Sequence, residues 1–168
     1  MTTVTGTLTK HKGRHIAIVM SRFNTLITDL LLAGAKEALT MHGVNMANID
    51  VYIVPGAFDI PLVAEKVANT AKYDGIVTLG AVIRGETDHY DLVINGAMTG
   101  IAQAGLKTGV PTVFGVLTAD TLEQAQHRAG GKAGNKGSEV ALALLELLAV
   151  VDAYLMHVFF SEMTLLRC

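Results

Sequence analysis

Two rhythms of apolar residues alternate along this chain. Short runs rich in valine and isoleucine, at residues 15–20, 49–54, 75–79 and 112–117, read as strands buried on both faces. Longer segments between them carry the 3.6-residue period of a helix. Residues 24–42 place Leu26, Ile27, Leu30, Leu31, Ala35 and Leu39 on that period, and Gly43 supplies the stop. Residues 58–71 read as a second helix with Pro61 in its first turn, where a proline is tolerated. A third runs from His89 to Lys107 and breaks at Gly109, a short fourth starts at Thr121, and a long last helix begins near Asn135 and continues past Leu148. The threonine-rich segment 4–9 reads as an additional edge strand or arm.

This βαβαβαβα order with short connections predicts a parallel sheet covered on both faces, with right-handed crossovers. The expected fold is therefore α/β, a three-layer α/β/α sandwich with a four-stranded parallel core sheet and an N-terminal edge strand. There is no internal repeat, low-complexity segment or linker, and 168 residues suit a single domain over 1–168.

Composition narrows the partners. Thirteen Lys and Arg against fifteen Asp and Glu leave a net charge of −2 without a basic block, so nucleic acid is not the expected partner. The chain is 51% hydrophobic and 17% charged, which is apolar for a monomer and points to buried subunit contacts. A membrane span over residues 140–160 would bury Glu146 and Asp152, each costing about 2.5 to 3.5 kcal/mol at a helix centre, so no membrane association is expected. The single cysteine, Cys168, excludes an internal disulfide framework, and residues 1–8 lack the organisation of a secretory signal; a cytoplasmic protein is the natural reading.

Chemistry concentrates in the loops after the strands, which in an open parallel sheet share one edge. They carry Ser21-Arg22-Phe23-Asn24, Pro55-Gly56-Ala57-Phe58-Asp59, Arg84 to Asp91, and Thr118-Ala119-Asp120. Phe23 and Phe58 each sit beside a short polar residue. Either alone reads equally as a core residue at a helix start, while their parallel placement suits a flat, hydrogen-bonding ring. Backbone groups of Gly56, Ala57, Val82 and Ile83 at strand ends could serve the edge of such a ring. Gly85-Glu86-Thr87 opens a helix and offers a phosphate cradle, against which the charges of Glu86 and Asp88 weigh. His89 stands among Asp88, Asp91 and Arg84, a setting that favours acid/base duty over a purely structural hydrogen bond.

A second basic segment runs from His127 to Gly137, with Arg128, Lys132 and Lys136 among glycines at 130, 131, 134 and 137. It reads either as an anion-binding loop with a bidentate arginine or as a solvated turn. Neither a P-loop spacing nor a Gly-x-Gly-x-x-Gly turn is present, so nucleotide cofactors lose ground. No histidine pair has ligand spacing on a predicted helix and no cysteine lies in the interior, so no metal site is expected; His11 and His42 read as surface residues.

Taken in order, Arg22-Phe23-Asn24, Val54 to Pro61, Leu79 to Asp91, Gly109-Val110-Pro111 with Phe114 to Thr118, and Arg128 to Gly137 closely resemble the lumazine synthase family of riboflavin biosynthesis, over roughly residues 5–150. The resemblance implies a flavodoxin-like fold and a transferase working without a cofactor. It would condense 5-amino-6-ribitylaminouracil with 3,4-dihydroxy-2-butanone 4-phosphate to 6,7-dimethyl-8-ribityllumazine, releasing phosphate and water. By the same resemblance, Phe23 stacks on the pyrimidine with Asn24 beside it, and Val82 and Ile83 hold its edge through the backbone. Ala57, Phe58 and Asp59 hold the ribityl chain; Gly85, Glu86, Thr87 and Arg128 seat the phosphate; His89 shuttles protons; Phe114 and Lys136 match further site positions. Family sites lie between subunits of a pentamer, with Phe114 and Arg128 supplied by the neighbour, and in many members pentamers build an icosahedral cage.

Three positions depart from the family pattern: Asp59 where glutamate is usual, His127 where glutamate is common, and Gly131 in place of threonine. The chain also carries an apolar extension at 151–168, read as packing on its own or a neighbouring subunit, as a diverged or redesigned assembly surface, or as disordered. A scaffold that keeps the fold, with or without turnover, is the alternative to the enzyme.

Overall fold

A computed structural model describes the backbone of residues 3–165 and the side chains as far as residue 156. The strands are β1 (Ile16–Ser21), β2 (Ile49–Val54), β3 (Gly75–Ile83) and β4 (Thr112–Ala119), all parallel and ordered β2-β1-β3-β4. Between and after them lie α1 (Thr25–Met41), α2 (Ile60–Ala68), α3 (His89–Thr108), α4 (Leu122–Arg128) and α5 (Lys136–Leu165), with a small antiparallel hairpin of β5 (Ala129–Gly131) and β6 (Gly134–Asn135) joining the last two helices. This is the expected flavodoxin-like sandwich.

Strand alternation sorts the core into two layers. Ile16, Ile18 and Met20 of β1, with Val77 and Leu79 of β3, pack against α1 and α5 through Ile27, Leu31, Leu39, Leu144 and Leu145. Ala17, Val19 and Ile76 face the other way, against Ile60, Ala64 and Val67 of α2 and Ala97, Ile101 and Ala104 of α3. Because β1 feeds β2 on one side and the chain then crosses back to β3 on the other, the strand order reverses between β1 and β3. The crevice there, at the carboxyl ends of the strands, is where ligands of such sheets bind.

Local signals account for most boundaries. Thr121 caps α4 by accepting a hydrogen bond from the Gln124 N–H, and Gly109 ends α3 in the left-handed region at φ 71°. The second predicted helix starts later, as Ala57–Asp59 form a 3-10 turn before α2 begins at Ile60 with Pro61 in its first turn.

Three expectations change. The described residues of the 4–9 segment form no ladder: a strand needs a paired edge, and within this chain the segment instead runs against α5, where a Cβ on Gly6 would stand 2.7 Å from Glu146 Cα. Leu8 packs on the α1/α5 core as the segment leaves. His11, read as a surface residue, is only 2% exposed, its Nε2 paired with the Thr7 carbonyl at 2.9 Å. On α1, Ile27, Leu31, Ala35 and Leu39 are buried, but Leu26 and Leu30 are 59% and 46% exposed, since the apolar stripe is wider than the face the sheet covers.

The last helix, α5, continues unbroken to Leu165. Arg14 ties it down by pairing with both Asp74, at 2.8 Å, and Asp152. Beyond that clasp Tyr154, Leu155 and Met156 are exposed. Among the described residues, no helix is long and apolar enough to cross a membrane.

Candidate active site

A cavity of about 590 Å³ opens at the β1/β3 crevice, lined by Phe23 and Asn24 after β1, Gly56, Ala57 and Phe58 after β2, Ala81 to Ile83 with Gly85 and Thr87 at the end of β3, and His89, Tyr90, Leu92 and Val93 from the first turn of α3. Ten of the residues singled out from the sequence thus meet in one place: Phe23, Asn24, Gly56, Ala57, Phe58, Val82, Ile83, Gly85, Thr87 and His89.

Each is positioned by an identifiable device. Asn24 takes the left-handed conformation (φ 64°, ψ 48°), which turns the chain out of β1, and its side-chain amide donates to the Ala81 carbonyl at 2.9 Å. That bond ties the Phe23 turn to β3. The ladder between β1 and β3 ends at Met20 and Leu79, while β3 stays paired with β4 as far as Ile83 and Ala119. The Arg84 N–H donates across to Ala119 O, so by strand alternation the backbone groups of Ile83 face the opposite side, toward the cavity. Phe58 lies directly on α3 over Gly96, where a Cβ would stand 2.8 Å from ring atom Cδ2 and closer still to Cε2. Phe23 and Phe58 are nevertheless 70% and 64% exposed, so within one subunit only one face of a bound ring would be covered.

The electrostatics differ from the simple sequence picture. Arg84, expected beside His89, pairs instead with Asp91 at 3.4 Å and with Asp120 at 3.1 Å, and stacks on the Tyr90 ring at 4.0 Å from its centroid. Its guanidinium is pushed further up by the hydrogen bond to Asp120, so it stays charged and committed. His89 stands at the mouth of α3, its backbone N–H donating to Thr87 Oγ1 at 3.4 Å, with no ion pair to an acidic side chain among the described residues. Asp59 and Glu86 do not line the cavity. The Asp59 carboxylate accepts the Gly56 N–H at 2.8 Å and so fixes the turn that presents Ala57 and Phe58.

Arg128, Phe114 and Lys136 lie elsewhere. They line a second depression of about 470 Å³ with Val116, Leu117, Thr118, Ala119 and Gln124, and no residue is shared between the two. Arg128 ends α4, and its guanidinium is gripped by Glu139 through Nη1–Oε1 and Nη2–Oε2 contacts of 2.8 Å each. The departures around it have local explanations. A Cβ on Gly131 would stand 2.8 Å from both Gln126 O and His127 Cα, so the tight return after α4 needs glycine there, and His127 approaches Glu123 at 3.8 Å across one helical turn.

Sequence reading missed Tyr90, Leu92 and Val93, although their spacing from His89 on a predicted helix puts them on neighbouring faces of its first turn. It also missed Glu139, which follows Lys136 at i+3. The Arg84–Asp120 pair joins residues 36 apart, and no local pattern reveals it.

The fold and the cavity define a doubly wound α/β protein with a crevice open at its topological switch point. Residues 13–152 match the family profile of 6,7-dimethyl-8-ribityllumazine synthase, and the chain belongs to that family. Among similar curated proteins, the 6,7-dimethyl-8-ribityllumazine synthase of Leuconostoc mesenteroides is 62% identical over 140 residues, covering 83% of this chain and 90% of the relative. The proteins of the same name from Lactiplantibacillus plantarum and Desulfotalea psychrophila are each 53% identical, over 155 and 144 residues, covering 92% and 86% of this chain and 97% and 93% of the relatives.

Proposed function

We propose that this chain is a cofactor-free transferase that condenses 5-amino-6-ribitylaminouracil with 3,4-dihydroxy-2-butanone 4-phosphate to 6,7-dimethyl-8-ribityllumazine, with release of phosphate and water. The amine adds to the ketone and loses water to form an imine, phosphate is eliminated, and the ring closes with loss of water. Phe23 stacks on the pyrimidine, the Ile83 backbone reads its edge with Val82, whose backbone groups face β4, lining the wall beside it, and Ala57 and Phe58 border the ribityl chain. Asp59 supports that chain through the turn it caps. Gly85, Glu86 and Thr87 with Arg128 seat the phosphate, and His89 moves protons. Holding both reactants together supplies much of the rate, with acid/base help contributing about 10²- to 10⁴-fold.

The observation that carries this reading is the division of the site into two separate depressions. Phe23 and Phe58 leave an open, apolar side on the first, while Phe114, Arg128 and Lys136 line the second, with no residue in common. If the arginine half of one subunit closes the aromatic half of the next, the repeated head-to-tail contact generates a ring. A pentamer, alone or built into an icosahedral cage, suits this arrangement, and exposed Leu26, Leu30, Leu92 and Leu106 supply apolar contact surface. We take residues 5–150 as the catalytic domain, 151–168 as its extension, and the cytoplasm as its place of work.

Turnover is tested by mixing the purified chain with both substrates and following lumazine fluorescence. A rate no greater than the uncatalysed background would leave only a scaffold with this fold. The shared site is tested by co-expressing Phe23→Ala and Arg128→Ala. Each alone should be strongly impaired, while random mixed rings regain about one quarter of the intact sites. No recovery in mixed rings would place both halves in one subunit and refute the arrangement.

A further inference from the structure

We infer that Glu139, which lines neither depression, is the positioning residue for Arg128: it locks the guanidinium so that one edge is presented to the phosphate. The inference rests on the functional reading above and deepens it. A guanidinium has five N–H donors. Both hydrogens of Nη1 are taken, by Ala133 O and Glu139 Oε1, and one of Nη2 goes to Glu139 Oε2. Nη1 lies on the Cδ side of the group, so the two donors left, Nε–H and the outer Nη2–H, point in parallel from the opposite edge. That edge is a matched fork for two oxygens of one phosphate.

The surroundings fit a clamp behind the arginine. Arg128 and Lys136 line the second depression whereas Glu139 does not, so the carboxylate stands behind the cationic groups rather than in the ligand's place. Its backing is built into the fold. Glu139 is in the first turn of α5, and the Ala133 carbonyl comes from the β5–β6 turn, itself held by the Ala133 N–H donating to His127 O at 3.0 Å. The hydrogen bond from Arg128 holds the Glu139 carboxyl below the usual range, with Lys136, 3.8 Å away, adding to the effect. The clamp therefore stays charged throughout the neutral range.

A carboxylate so close to an anion site has the opposite possible effect, repelling the phosphate, and the two roles give opposite results. Glu139→Gln, which keeps the size and removes the charge-assisted fork, should raise KM for the butanone phosphate and Ki for inorganic phosphate by about ten- to hundredfold. KM for the pyrimidine should stay within about twofold. Combined with Arg128→Ala, Glu139→Gln should add nothing, because the group it positions is gone. Glu139→Asp, followed by thermal melting alongside, guards against simple misfolding: a stable Asp variant should fall between wild type and Gln in KM.

Lower KM and Ki for phosphate in Glu139→Gln would make the carboxylate a repulsive neighbour and overturn the inference. Unchanged constants, or equal rises in both substrates' KM, would overturn it too. If wild type turns over and Arg128→Ala raises KM for the phosphate substrate, those failures belong to Glu139 alone. If Arg128→Ala has no effect, it is the parent assignment of Arg128 that falls.

Discussion

Two glycines one turn apart on α3 should respond to the same substitution with opposite effects on stability. At Gly96 an added methyl meets the Phe58 ring, 2.8 Å from Cδ2; at Gly100 it meets the Pro61 ring, 2.6 Å from Cβ. Alanine favours a helix over glycine by about 1 kcal/mol, and overpacking costs about 1–3 kcal/mol where the neighbour cannot move. Phe58 is 64% exposed and can swing outward, so the clash at position 96 is relieved by a rotamer change. Pro61 has no rotatable side chain and is fixed in the first turn of α2. Gly96→Ala should then be neutral to about 1 kcal/mol more stable, and Gly100→Ala up to about 2 kcal/mol less stable. For a chain of this size each kcal/mol moves Tm by about 2–4 °C. The displaced Phe58 no longer borders the cavity, so Gly96→Ala should raise KM for the pyrimidine about two- to tenfold, the worth of one aromatic contact. Melting by calorimetry at one fixed protein concentration, with steady-state kinetics on both variants, checks the pair. A Gly96→Ala protein that melts lower than Gly100→Ala, or that keeps wild-type KM, would refute the reasoning.

Asn24→Ala should lose about 2–3 kcal/mol, from the left-handed conformation forced on alanine and the missing bond to Ala81 O, while Asn24→Gly recovers the conformational part; urea denaturation of both variants separates the two contributions. An electrostatic prediction concerns Asp50 at the other end of the sheet, where Lys72 at 2.6 Å and the Tyr73 hydroxyl at 2.7 Å hold its carboxyl below the usual carboxylate range. A depressed carboxylate stabilises the folded state above its unfolded pKa and loses that contribution as pH falls through the folded value. The urea-midpoint gap between wild type and Asp50→Asn should therefore be fullest near neutrality and shrink below about pH 4; a gap that widens in acid would contradict the assignment.

Much of this protein is legible without coordinates, because the governing forces are local. Buried parallel strands demand continuous apolar runs, amphipathic helices demand a 3.6-residue period, and glycine, proline and threonine mark the ends, as at Gly109, Pro61 and Thr121. A parallel sheet then puts the loops after its strands on one edge, where Phe23, Phe58, Ile83 and His89 gather at one crevice.

What only the tertiary structure decided concerns groups whose partners are distant in sequence. Segment 4–9 has strand composition, yet it joins no ladder among the described residues and runs against α5 instead. Leu26 and Leu30 share a period with the core yet fall outside the face the sheet covers. Arg84 is drawn from His89 to Asp120, and Arg128 is held by Glu139 in a depression apart from the aromatic cavity. Periodicity says which way a side chain points along its own element. Which charge it meets, and whether the residues of one reaction share one subunit's surface, depends on how the elements dock, and docking is set by contacts summed over the whole fold.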